Sequence, residues 1–161
     1  MDVAAELCAL TGSLSREDGV FGRVVDEAGG SVPELVRQVA AEAEEAWKLY
    51  AVEGAVGPDT PVEIDDALLQ VDAERAVELM TYLATYDLVF PGSGRRDRLH
   101  ARRAAERVVR LLGYEAAWYT NITDLLPGAR AWNPVTRHTF DGVVAGTGGS
   151  FTLVLLQVGE D

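Results

Sequence analysis

Apolar residues recur every three to four positions over most of residues 1–113, then merge into near-continuous runs. The first spacing marks the buried stripe of a helix, and the second marks strands covered on both faces. Residues 2–11 read as a short helix with Val3, Leu7 and Leu10 on one side. Cys8 sits beside that stripe and is placed as a small buried hydrophobe. Residues 15–28 read as a second helix. Ser15 and Asp18 come close to a capping box, Val20, Phe21, Val24 and Val25 give an apolar face, and Gly29-Gly30 end it.

The clearest helix opens at Ser31, with Pro33 and Glu34 completing a Ser-x-x-Glu start. Leu35, Val36, Val39, Ala43, Ala46, Trp47 and Tyr50 follow at helical spacing, and Gly54 and Gly57-Pro58 stop it. Another helix runs from about Asp72, its N-cap, to Leu88, with a start as early as Asp65 as the alternative, and with Val77, Met80, Leu83 and Ala84 inward. Phe90-Pro91-Gly92-Ser93-Gly94 ends it. The last helix, about 95–112, alternates an Ala/Val/Leu stripe with Arg95, Arg96, Arg98, Arg102, Arg103, Arg107 and Arg110, and Gly113 caps it.

Beyond Gly113 the pattern turns to strands. Residues 114–121 read as one, the segment Asp124 to Pro134 as turn-rich, and 136–145 and 151–158 as a pair joined through Gly146-Thr147-Gly148-Gly149-Ser150. The expected fold is one α+β domain over residues 1–161. Four to five N-terminal helices, mainly within 1–113, precede a small antiparallel sheet of about three strands in 114–161.

Charge divides the chain more sharply than the helix-to-strand change does. The total is −12, from 26 acids and 14 bases among 161 residues. Residues 1–90 carry 19 acids and 5 bases, 91–130 carry 4 and 8, and 131–161 carry 3 and 1. Such acidity disfavours nucleic acid and anionic membrane as ligands and suits a basic protein partner. Of the bases, 13 are Arg and one, Lys48, is Lys, which fits a GC-rich bacterial coding bias. A single cysteine leaves no disulfide framework. The longest apolar run, Phe151 to Val158, is too short to cross a membrane, and the N-terminus lacks the positive charge of a secretory signal. The expected location is the cytoplasm.

No nucleophile elbow, zinc-protease or P-loop pattern occurs, and the two His residues, 38 positions apart, have no metal-ligand spacing. No cofactor or metal is expected. Asp59, Glu63, Asp65 and Asp66 lack the alternation of a Ca²⁺ loop. Asn121-Ile122-Thr123 matches a glycosylation triplet by coincidence. The chemistry-bearing stretch is residues 132–142. Trp118, Trp132, Asn133, Arg137 and His138 are the candidate ligand contacts, with His138 and Asp141 as candidate acid–base groups. On a regular strand His138 and Asp141 would face opposite sides and not meet. Glu42, Glu44 and Glu45 on one side, and Arg102 and Arg103 on the other, are the candidate partner contacts. The arginine helix is expected to offset the acidic helices within the same molecule.

These readings favour a small acidic protein-binding module, an immunity- or antitoxin-type inhibitor of a basic, toxin-like enzyme in its sharpest form. The alternatives are a small-molecule binder or minor enzyme centred on His138 and Trp132, and a homo-oligomeric scaffold joining the arginine helix of one copy to the acidic helices of another.

Overall fold

The computed structural model describes residues 2–26, 31–46, 56–89, 97–126 and 129–160. The described elements run α1 (Val3–Leu14), β1 (Val20–Val25), α2 (Val32–Ala46), α3 (Pro61–Ala67), β2 (Leu69–Val71), α4 (Ala73–Thr85), α5 (Arg98–Leu112) and β3 (Ala117–Thr120). They continue through β4 (Ile122–Leu126), β5 (Ala129–Trp132), β6 (Phe140–Gly148) and β7 (Phe151–Gly159). Trp47, Lys48, Tyr50, Arg95 and Arg96 lie outside the described residues, as do the helix stops at Gly29-Gly30, Gly54 and Phe90 to Gly94.

The expected three-stranded sheet is corrected to a five-stranded antiparallel sheet, ordered β1-β7-β6-β3-β2, with a separate β4-β5 ribbon. Helices cover both faces. Leu153, Leu155, Val144, Trp118 and Val20 pack with α1, α4 and α5, whereas Val154, Leu156, Val158, Val143 and Ala145 pack with α2 and α3. Two covered faces explain why β6 and β7 read as continuous apolar runs rather than alternating ones. The β6–β7 turn narrows to Gly149-Ser150, with Gly149 at φ 60°.

The expected helix at 15–28 is overturned, because Val20–Val25 pairs with β7 as an edge strand. Apolar residues at i, i+1, i+4 and i+5 suit a helix stripe, but they also suit a strand buried on both sides. Val20 and Val24 meet the α1–α4–α5 core, while Phe21 and Val25 meet the other. Gly22 and four β-branched or aromatic neighbours favour the strand. Gly19, at φ 84°, turns the chain into it. Cys8 is likewise corrected: it is exposed, since the buried line of α1 is Leu7, Thr11 and Leu14.

The helix starts follow the capping chemistry. Asp2, Thr60, Asp72 and Asp97 accept from backbone N–H groups of their first turns, and Ser31 Oγ accepts from Glu34 N at 3.3 Å. Among the described residues no helix is long and apolar enough to cross a membrane.

Two glycines give contrasting predictions. Gly146 lies opposite Trp118, and a Cβ there would sit 2.4 Å from the indole. Gly146→Ala is expected to lower stability by about 1–3 kcal/mol, read as a lower urea midpoint. Gly12, within α1, has nothing within 4 Å of its would-be Cβ. Gly12→Ala is expected to raise stability by about 0.5–1 kcal/mol in the same titration.

Candidate functional site

The polar stretch singled out above is a loop, residues 133–139, leading into β6. Its residues cannot pair in a ladder, so their backbone donors need side-chain acceptors. Asp141, 2% exposed, supplies them for Val135 and Thr136. Its Oδ2 accepts from Thr136 N at 2.9 Å and Thr136 Oγ1 at 2.8 Å, and Val135 N lies 3.2 Å from both oxygens. Asn121 Nδ2 donates to Oδ1 at 2.7 Å and also to the Asn133 carbonyl at 2.8 Å. Asn121 Oδ1 in turn accepts from Val143 N at 2.8 Å. Asn121 is fully buried and fully used, so the glycosylation triplet has no available acceptor. Burial pushes the Asp141 carboxyl up to about 6 against these hydrogen bonds, which pull it down.

The far end of the loop is held by Glu160. Its Oε1 lies 2.9 Å from His138 Nδ1 and accepts from Thr139 N at 3.1 Å, and its Oε2 accepts from Thr139 Oγ1. The His138 side chain is buried, and its Nε2 has no hydrogen-bond partner. Between the two anchors Arg137 points to the α2–α3 layer. Its N–H donates to Glu44 Oε1 at 3.2 Å, and its guanidinium reaches Asp59 Oδ1 at 2.8 Å. Arg37 of α2 meets the same Asp59, through its carbonyl at 3.0 Å and its carboxylate at 3.4 Å. A Cβ on Gly57 would lie 2.5 Å from the Thr136 carbonyl, so loop 56–60 and loop 133–139 are in close contact.

The candidate ligand contacts do not gather into one pocket. Trp118 is buried with the α1–α4–α5 core, and Trp132 packs on that core too, its ring 5.6 Å from that of Phe140. Asn133 is exposed and reaches the Ala67 carbonyl at 3.4 Å. Arg137 belongs to the opposite face. A groove of about 280 Å³ lies elsewhere, between α4 and α5, lined by Ala73, Glu74, Val77, Glu106, Val109 and Arg110. Asp141 and His138 share no hydrogen bond. Asp141, with both oxygens taken by donors, is built to hold the loop rather than to exchange protons with a substrate. Among the described residues no group of three His, Cys, Asp or Glu side chains could hold a metal ion.

The partner candidates separate by face. Across residues 31–46 and 56–68, the α2–α3 layer and its leading loop, eight acids stand against Arg37 alone, a net of −7. Glu34, Glu42 and Glu45 are exposed on α2, and Glu63, Asp65 and Asp66 on α3. Glu42 pairs with Arg23, and Glu44 is drawn to the Arg137 amide. On the other side of the sheet α5 carries five Arg and one Glu, with Arg102 and Arg103 both exposed. Arg102 pairs with Glu106 at 3.3 Å and Arg107 with Glu6 of α1 at 2.7 Å. That hydrogen-bonded guanidinium holds the Glu6 carboxyl below its usual range. The arginine helix therefore offsets α1 and itself, while the α2–α3 acids stay separated from it by the sheet.

No family model, curated protein or solved structure matches the chain. The fold and site define a three-layer α+β protein with one strongly acidic face and a pinned loop beside it.

Proposed function

We propose that the protein is a binding module whose α2–α3 face docks on a basic partner protein. The observation that carries this reading is the placement of eight acids on one face, a net of −5 once Arg37, Arg23 and Arg137 are counted with them, across the sheet from the arginine helix. Clustered like charge raises the local potential and steers a cationic surface to that side. Loop 133–139, tied to the same face through Arg137, Asp59 and Glu44, gives it a fixed rim. The cationic active site of an enzyme is the sharpest form of such a partner, and blocking it the corresponding activity.

A fluorescent oligo-arginine peptide tests the face. Binding is expected to weaken steeply with added salt, and the triple change Glu63→Lys, Asp65→Lys, Asp66→Lys to weaken it by roughly tenfold or more. Arg103→Glu with Arg110→Glu on α5 is expected to leave it intact. Equal loss from both variants, or insensitivity to salt, defeats the reading.

A second reading rests on His138. A carboxylate on Nδ1 fixes the tautomer and leaves the buried Nε2 lone pair without a hydrogen-bond partner, the arrangement of a general base or ligand donor. Under it, His138→Gln removes a measurable ligand affinity while the unfolding midpoint holds.

A further inference from the structure

Among the described residues, β1 is the outer strand of the sheet and is bonded to β7 on one side only. Its pairing fixes which backbone groups remain. Val158 N donates to the Gly19 carbonyl at 2.9 Å, so Gly19, Phe21, Arg23 and Val25 turn their N–H and C=O toward β7. The alternate residues Val20, Gly22 and Val24 turn theirs outward. Val20 N is already satisfied by the Glu17 carbonyl at 3.1 Å, which leaves the groups of Gly22 and Val24 along the edge.

Exposed edges normally carry guards such as Pro, Lys or a bulge. β1 has no Pro, no Lys and an unbroken register with β7. Its one charge, Arg23, is drawn back onto α2 by Glu42 and Gln38. Phe21, Val24 and Val25 are only half-buried, so an apolar shelf borders the edge. Acids stand at both ends: Glu17 and Asp18, beside Arg16, precede the strand and Asp26 follows it.

We propose that β1 receives an extended, basic-ended segment of a partner as a sixth strand of the sheet. Six residues at about 3.3 Å each give a docking edge of roughly 20 Å. Main-chain hydrogen bonds to Gly22 and Val24 supply the mode, and the flanking acids select Lys or Arg near each end of the segment. A second copy of this chain suits the edge less well, because two molecules of charge −12 repel. The inference rests on the acidic-face reading for the partner's charge and adds the route by which it binds.

The probe is a capped peptide of alternating Val and Thr with a Lys at each end. Saturating it is expected to slow hydrogen exchange at the Gly22 and Val24 amides by about tenfold or more, with little change at Phe21 and Arg23. Val24→Pro removes one outward donor, so it is expected to abolish binding. Glu17→Lys with Asp26→Lys leaves the ladder intact and is expected to weaken binding by about tenfold. Probe binding without protection at Gly22 and Val24 overturns strand addition, while the oligo-arginine titration judges the acidic face separately. Protection of these amides that rises with protein concentration alone, in step with a doubled mass, overturns the basic segment in favour of a second copy. No binding of the probe to the unaltered protein also overturns the proposal.

Discussion

Asp141→Ala is expected to lower the unfolding free energy at pH 7 by roughly 3 kcal/mol, among the largest losses any single polar substitution here would cause. The carboxylate holds Asn121, Val135 and Thr136 in one buried cluster, and its removal leaves several donors without acceptors. Burial raises its pKa to about 6, which fixes the sign of a pH effect. Between the ordinary carboxylate range near pH 4 and pH 6, the folded protein keeps a proton that the unfolded chain has released. The contribution of this group to stability is therefore full below about pH 4, declines as pH rises to 6, and is level above that. Asp141→Asn cannot titrate. Urea unfolding at pH 4.5 and pH 7 should show the unaltered protein losing about 2 kcal/mol more than this variant across the interval. Equal slopes for the two proteins would show that Asp141 does not titrate there.

Gln157→Leu is the second large effect. Gln157 is 1% exposed, and its side chain closes the end of α4. Its amide donates to the Leu83 and Tyr86 carbonyls, each at 2.8 Å, and its Oε1 accepts from Leu88 N at 2.8 Å. Leucine fills a similar volume but leaves two carbonyls and one N–H buried without partners. The expected loss is about 3 kcal/mol, with Gln157→Glu also destabilising because a carboxylate cannot donate to those carbonyls. Thermal unfolding with a fluorescence readout checks both. A loss for Leu no larger than for an exposed substitution such as Gln70→Leu would show that the α4 end is satisfied by water instead.

The long helices were legible because their signals are local. Ser31 with Glu34, and Asp72 before a three-to-four repeat, carry the start and the stripe in adjacent residues. β1 was not legible, since its apolar spacing suits either period. β2, of three residues, and α3, of seven, are too short to build a period at all. The β4-β5 ribbon sits in a segment whose turn residues masked its strands. Within the site, Arg137, His138, Asn133 and Asp141 stood out by type. Asn121 and Glu160 did not, because their bonds reach across 20 and 22 residues and depend on the folded register. No sequence signal pointed to them, because residues 136–139 read as part of a strand whose ladder would satisfy their donors, whereas β6 begins only at Phe140. The sheet separating the acids of α2–α3 from the arginines of α5 was equally hidden, since both helices read as amphipathic whichever face they cover.

The position of β7 has a kinetic meaning. Among the described strands, the first finds its only ladder partner in the last, more than 120 residues later. During synthesis, α1 and β1 leave the ribosome long before β7, the strand that β1 pairs with. The closing of so long a loop places the slow step of folding at the end of translation, with β1 waiting as a bare strand until then. The chain between β1 and β7 carries a net charge of −8, which opposes association with other copies while β1 is unpaired.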